Sequence, residues 1–217
     1  MSSLLKNFLS IKDDKNQISK LKSLIRFENL NKSEKRLNEM YEYSKMPEFY
    51  DFLETEPHKN ITETSQYLDN LINRETLGYY DGQSRYWFII DSLEDKLIGT
   101  IGLVGIKDAQ SHACTTMGLS PSYRSNGRGI EATLSLLHYG FTNLKLNKIW
   151  AITHELNKPV IKLHNLFGFK TEGIIRDYYY LDNEYINACY LGCLKNEYTP
   201  SKSISIIALS RKIGKQL

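Results

Sequence analysis

The spacing of apolar residues predicts helices in the first part of the chain and mostly strands after about residue 84. Apolar positions recur at helical spacing between residues 31 and 72, whereas later apolar runs are rich in β-branched and aromatic residues. In the first part, the predicted elements are a strand over 24–30, a helix from Asn31 or Ser33 through Tyr43, a short helix after Pro47, and a helix from 62–65 to Ile72.

The second part of the chain alternates strands with two helices. Helices are expected over 130–144 and 158–167, the second of them stopped by Gly168. The order of elements favours an α+β fold with a mixed, mostly antiparallel sheet and helices on both faces. The predicted strands cover residues 86–90, 96–104, 112–119, 148–153, 170–180 and 185–194.

The most informative segment is 119–130, which joins a predicted strand to a predicted helix. Gly127 and Gly129 flank Arg128 there, so a run of backbone N–H groups is expected at a helix N-terminus. Such a run binds phosphate oxygens. The segment lacks the G-x-G-x-x-G of dinucleotide folds and the Lys-Ser/Thr of a P-loop, which disfavours ordinary NAD or ATP chemistry.

Composition narrows the class of protein further. The 217 residues suit one domain, expected over 23–198, with an extension at 1–22 and a basic tail at 199–217. The positive charge is concentrated in those two ends, which disfavours a nucleic-acid partner. No apolar run has the length of a membrane helix, and the three cysteines have no metal-binding spacing. We therefore expect a cytoplasmic protein with reduced thiols, no metal and no membrane partner.

Two landmarks in this order resemble the GNAT superfamily of N-acetyltransferases. Arg124, Gly127 and Gly129 match its acetyl-CoA signature, an Arg or Gln followed by x-x-Gly-x-Gly or Ala. Asn157 then opens a predicted helix that closes with Gly168-Phe169, as in the second family landmark. Together with 172–178 and 194–198, the likeness covers residues 24–198 and resembles the subgroup of ribosomal-protein alanine acetyltransferases and nucleotide-amino-sugar acetyltransferases.

The resemblance implies the GNAT fold, in which a central pair of strands splays apart. It also implies acetyl-CoA as the donor, with its pantetheine arm along the strand that ends at residue 119 and its pyrophosphate on the loop. The residues that the resemblance assigns to the cofactor are Met117, Gly118, Leu119, Arg124, Ser125, Asn126, Gly127, Arg128, Gly129, Ile130 and Asn157. An N-cap role for Asn157 is the alternative.

The implied reaction is direct attack of a neutral primary amine on the acetyl thioester. Many relatives place an acidic Tyr where this chain has His164, so His164 is a candidate proton donor, with packing as the alternative. Glu54 and Glu56 are candidate bases, because they fall where the family shapes its acceptor site. His154 and Glu155 are further candidates for that role.

The acceptor remains open between several classes. The abundance of aromatic residues favours an amino sugar on a nucleotide carrier, with 178–180, Tyr50 and Phe52 as a possible slot. A protein N-terminus is the alternative acceptor, and a non-catalytic module that binds CoA or a partner is the third possibility. The alternating segment 203–209 also allows an edge strand in a homodimer.

Overall fold

The computed structural model describes residues 23–53, 55–77, 82–107, 111–124, 126–181 and 183–198. The predicted extension at 1–22, the tail at 199–217 and the candidates Glu54 and Ser125 lie outside these residues. The described helices are α1 (Glu34–Ser44), α2 (Ile61–Leu77), α3 (Arg128–His138) and α4 (Lys158–Leu166). None of them is both long and apolar enough to cross a bilayer.

Seven strands form one sheet in the order β1-β2-β3-β4-β5-β7-β6. Every neighbouring pair is antiparallel except β4 and β5, which run parallel. The strands are β1 (Ile25–Asn29), β2 (Gln83–Asp91), β3 (Leu97–Lys107), β4 (His112–Leu119), β5 (Lys148–His154), β6 (Lys170–Leu181) and β7 (Glu184–Leu194). This mixed, mostly antiparallel arrangement confirms the predicted fold class.

Each face of the sheet buries its own apolar core. One core packs α3 and the residues after α4 against the sheet, and it contains Leu137, Phe141 and Phe167. On the opposite face, α1 and α2 cover β2 and β3 through residues such as Met40, Leu68 and Phe88. The sheet therefore separates a face covered by α3 and α4 from a face covered by α1 and α2.

All the predicted strands and four of the five predicted helices occur among the described residues, with shifted ends where local chemistry differs. Ser33 caps α1, since its Oγ accepts a hydrogen bond from the Arg36 N–H at 3.4 Å. The segment after Pro47 is only a 3-10 turn, Pro47–Phe49. The helix predicted over 130–144 starts earlier, at Arg128, and its last part, Tyr139–Asn143, is π-helical.

Candidate functional site

The two parallel strands β4 and β5 pair over a short length and then separate. Their register contains three pairs, His112 with Lys148, Ala113 with Ile149, and Cys114 with Trp150. Beyond these pairs, β4 continues to residue 119 on β3 and β5 continues to residue 154 on β7. The edges of β4 and β5 that face each other are unpaired over 115–119 and 151–154, so their backbone groups can bond a ligand with amides.

The loop after β4 ends in a left-handed glycine that starts α3. Gly127 is the N-cap residue and has φ +87°, a conformation that side chains with a Cβ adopt at a cost. The helix geometry leaves the N–H groups of Gly129 and Ile130 outside its own hydrogen-bond ladder. These donors lie at the positive end of the helix dipole, which favours a phosphate there.

Gly129 lies beside the end of β4. A Cβ built on it meets Leu119 Cδ2 at 3.5 Å and Met117 Cε at 3.8 Å, both ordinary contact distances. The fold itself therefore tolerates a Cβ at this position.

Gly118 allows the Phe49 ring to approach the backbone of β4 closely. An added Cβ there would lie 2.8 Å from Cζ of Phe49, so the Phe49 ring packs directly on the backbone of β4. Met117 and Ile130 pack instead against the core on the α3 face. The Asn126 side chain is local to the loop, because its Oδ1 accepts a hydrogen bond from the Arg128 N–H at 3.4 Å.

Arg128 is tied to a buried carboxylate. Its Nε donates to Oδ2 of Asp91, whose side chain has no exposed surface, and its guanidinium carbon lies 5.3 Å from the Tyr123 ring centroid. Asp91 Oδ1 also accepts the N–H groups of Leu93 and Glu94 at 3.0 and 2.9 Å. Burial raises the pKa of Asp91, but the bonds from Arg128 and these amides outweigh it and leave the pKa below its ordinary value.

Arg124 points toward backbone carbonyl groups. Its Nη1 donates to Glu48 O at 2.9 Å, its Nη2 to Phe49 O at 3.4 Å, and its Nε to Leu119 O at 3.2 Å. The Asp51 carboxylate lies 3.9 Å away. The family signature thus places this cation between β4 and the 3-10 turn, an arrangement that sequence analysis did not predict.

Asn157 does not cap α4 with its side chain. Its Nδ2 donates instead to Thr153 Oγ1 at 3.1 Å, which holds the amide against the end of β5. Asn157 therefore occupies the N-cap position of α4 without a side-chain capping bond, and contact with the cofactor stays a prediction.

His164 is buried on α4 in a defined orientation. Its Nδ1 lies 2.9 Å from Val160 O and must donate, so the neutral ring presents Nε2 as an acceptor. Nε2 is buried and has no partner among the described residues. Burial lowers the pKa of His164 despite the bond to Val160, so the neutral form dominates at pH 7. The proton-donor role expected from sequence requires the charged form, which this environment disfavours.

His154 has the opposite orientation. At the end of β5, its Nδ1 accepts the Leu156 N–H at 3.1 Å, so the neutral ring carries its proton on Nε2. That N–H is also buried and lacks a partner among the described residues. Its ring lies between Phe52 at 5.7 Å and Tyr179 at 5.5 Å. In this tautomer His154 is a hydrogen-bond donor and not the base considered from sequence.

The face covered by α1 and α2 carries the remaining candidate groups. Glu56 is exposed in the loop before α2. An aromatic wall on this side is a chain of ring contacts between 5.0 and 6.2 Å, through Tyr43, Phe49, Tyr50, His58 and Tyr67. The described residues contain no grouping of His, Cys, Asp and Glu suited to a metal ion.

Comparison with known proteins finds N-acetyltransferases by both family model and sequence similarity. A model described as an acetyltransferase (GNAT) domain matches residues 26–170. An uncharacterized N-acetyltransferase, p20, of Bacillus licheniformis is 31% identical over 157 residues, which span 72% of this chain and 86% of that protein. Spermidine N(1)-acetyltransferase of Escherichia coli K12 is 27% identical over 143 residues, which span 66% of this chain and 72% of that enzyme.

Solved structures give the same fold. A crystal structure of spermidine N-acetyltransferase from Vibrio cholerae in complex with CoA and spermine superposes with a TM-score of 0.68 at 20% identity, covering 82% of this chain and 99% of that chain. A GCN5-related N-acetyltransferase from Brucella melitensis gives 0.69 at 19% identity, covering 90% of this chain and 83% of that chain. The resemblance to GNAT is confirmed, but these relatives do not include the subgroup expected from sequence.

Proposed function

Because the chain belongs to the GNAT family of acetyltransferases, we propose that it acetylates a primary amine of a polyamine, with acetyl-CoA as the donor. The observation that carries the proposal is the similarity to spermidine N(1)-acetyltransferases over 66% of the chain. This acceptor replaces the nucleotide-linked amino sugar that aromatic composition favoured. Aromatic residues serve both acceptor classes, since a polyamine chain packs on aromatic rings through its methylene groups and its cations.

The described residues fit acetyl-CoA at two independent places. The unpaired edges of β4 and β5 can bond the amides of the pantetheine arm, as a strand would. The left-handed Gly127 and the helix N-terminus behind it fit the pyrophosphate. Acetyl-CoA supplies an acetyl group that is activated as a thioester.

The chemistry left to the protein is proton transfer and the binding of charge. The attacking amine must lose a proton, and His164 Nε2 is an acceptor whose lowered pKa keeps it neutral at pH 7. The Nε2–H of His154 can donate to an oxygen or to water near the open end of the gap between the strands. The role proposed for His164 differs from the acid expected from the sequence, and Glu54 and Glu56 stay candidate bases.

The charge on the acceptor side supports a polycation. Glu48 and Glu56 form no ion pair among the described residues, and Asp51 lies beyond direct hydrogen-bond distance of its nearest cation, Arg124. Burial is low at these positions, so each carboxylate attracts an ammonium group from solution at a modest energy. A flexible polyamine can make several such contacts at once, so their binding energies add.

A panel of amines tests the proposal. We expect acetylation of spermidine and spermine at a kcat/KM at least tenfold above that of glucosamine-type amino sugars, because only the polyamines gain from several carboxylates. Adding salt should raise KM for spermidine more than KM for acetyl-CoA. Efficient turnover of a nucleotide-linked amino sugar, with none of spermidine, would contradict it.

A protein N-terminus is the second candidate acceptor. Two observations favour it: the exposed Tyr178, Tyr180 and Tyr185 at the β6–β7 tip, and a 23% identical mouse protein named alpha/beta-tubulin-N-acetyltransferase 9. Peptides with a free amino terminus belong in the same panel.

A further inference from the structure

We infer that Arg124 positions the acceptor side of the site and couples acetyl-CoA binding to amine binding, instead of holding a phosphate. The segment concerned is 46–53, which we call the acceptor segment. The inference rests on the proposed function, because it takes the face covered by α1 and α2 as the side from which the amine approaches.

The hydrogen bonds of Arg124 join two parts of the chain far apart in sequence. One accepting carbonyl, Leu119 O, is the last of β4, and the other two, Glu48 O and Phe49 O, belong to the 3-10 turn. These carbonyls lie about 70 residues apart in the chain. A planar guanidinium can serve all three at once, since its donors point in fixed directions.

Phe49 adds a packing contact to the same connection. Its ring lies on the backbone of Gly118, so close that one methyl group on Gly118 would come within 2.8 Å of it. The ring also contacts Tyr43 at 5.1 Å and Tyr50 at 5.0 Å, which begins the aromatic wall. A shift of β4 or of the loop is therefore transmitted to the acceptor segment through Arg124 and Phe49 together.

The charges around Arg124 fit a role in holding the protein's own segments together. Burial lowers the pKa of Arg124, and the carboxylates of Asp51 and Glu48 oppose that effect. The group stays charged, because an arginine does not lose its proton in proteins. Its hydrogen bonds with the described residues are all to protein oxygen atoms, and it lies three residues before Gly127, the N-cap of α3.

The first experiment measures coupling between the two ligands by calorimetry, with CoA and spermidine as probes. In the parent protein, saturating CoA should tighten spermidine binding about tenfold. Arg124→Gln should retain CoA affinity within about twofold, raise KM for spermidine about tenfold, and abolish the coupling. Arg124→Lys should behave like Arg124→Gln, because an ammonium group cannot span the three carbonyls. Arg85→Gln, an equal change of charge at an exposed strand position, is the matched control.

The second experiment does not depend on the identity of the acceptor. The N–H groups of Phe49, Tyr50 and Leu53 bond within the acceptor segment, so their hydrogen exchange reports its order. CoA should slow this exchange in the parent and in Arg85→Gln but not in Arg124→Gln. Phe49→Ala should also lose the effect, which guards against misfolding of a single variant.

The two experiments separate the possible failures. If Arg124→Gln weakens CoA binding and leaves both KM for spermidine and the exchange effect unchanged, Arg124 is a phosphate ligand and the inference is wrong. If spermidine is not acetylated but CoA still slows exchange only when Arg124 is present, the polyamine acceptor is wrong, and the coupling of the acceptor segment to CoA through Arg124 stands.

Discussion

Arg128 Nε donates a hydrogen bond to the fully buried carboxylate of Asp91, and this pair fastens the first residue of α3 to the last residue of β2. The pair holds the helix N-terminus whose N–H groups face the loop. Removing one partner leaves the other charge without compensation in a place with little access to water.

Asp91→Asn should therefore lower the free energy of unfolding by about 1.5–3 kcal/mol at pH 7, the usual value for a hydrogen bond to a charged group. The pKa of Asp91 is lowered from 3.8, so its contribution is complete above that pH and is lost as the pH falls further. The difference between parent and variant in urea titrations should thus shrink below about pH 4. A difference that stays constant down to pH 2 would mean that the charge of Asp91 does not matter.

Gly129→Val should abolish acetyl-CoA binding while leaving the melting temperature nearly unchanged. A Cβ at this position meets only ordinary contact distances, so we expect the fold to accommodate the substitution. Lost affinity with unchanged unfolding would then assign the loss to the space that the ligand needs. Calorimetry with CoA measures the effect. Gly173→Val is the matched control, since nothing lies within 4 Å of the added Cβ there. Unaltered affinity in Gly129→Val would remove the loop from the cofactor site.

Gly127→Ala should mainly lower the free energy of unfolding. Its φ of +87° costs an alanine about 1–2 kcal/mol, which thermal or urea unfolding can detect. A measured cost near zero would indicate that the loop relaxes to another conformation. This contrast separates the two glycines of the signature, which look equivalent in the sequence.

His164→Ala should lower kcat about a hundredfold and leave the Kd for CoA within about twofold, because general acid–base catalysis contributes about that factor or more. His138→Ala, at an exposed histidine on α3, is the control. An unchanged kcat would leave His164 with packing alone.

His164 should also affect stability in a pH-dependent way. Because burial lowers the pKa of His164 from 6.5, the contribution of the neutral ring to the free energy of unfolding is complete above pH 6.5 and is lost as the pH falls below it.

His154→Phe should lower kcat/KM for the amine about tenfold without weakening CoA binding. Phenylalanine keeps the ring between Phe52 and Tyr179 but removes the Nε2–H, together with the Nδ1 acceptor of the Leu156 N–H. A loss of about 1.4 kcal/mol for one hydrogen bond corresponds to that factor. If His154→Phe and the parent have equal kcat/KM, the donor has no role in the reaction.

The sequence predicted the elements and the loop because both depend on local patterns. Alternation and helical spacing located the seven strands and the four α-helices of the described residues, and two glycines at a strand–helix junction located the loop. The separation of β4 from β5 came from the family resemblance, since nothing in the spacing of residues 112–119 distinguishes a strand that loses its neighbour halfway.

Side-chain partners could not be predicted in the same way. Arg124 bonds to carbonyls 75 and 76 residues earlier, and Asp91 meets Arg128 across the fold, so no local pattern reports either contact. The opposite tautomers of His154 and His164 depend on which backbone group each ring meets, Leu156 N–H or Val160 O. Acceptor identity depends on charge spread over a surface, which composition alone describes poorly.

The three residue pairs between β4 and β5 have a consequence for the lifetime of the protein. In the described sheet they are the only backbone pairing between strands β1–β4 and strands β5–β7. Without a ligand, the two halves of the sheet are therefore joined by a short ladder. A donor molecule that bridges the gap joins the halves and, at a hundredfold excess over its Kd, stabilises the folded state by about 2.7 kcal/mol. Resistance of the protein to proteolysis should therefore increase when acetyl-CoA is added.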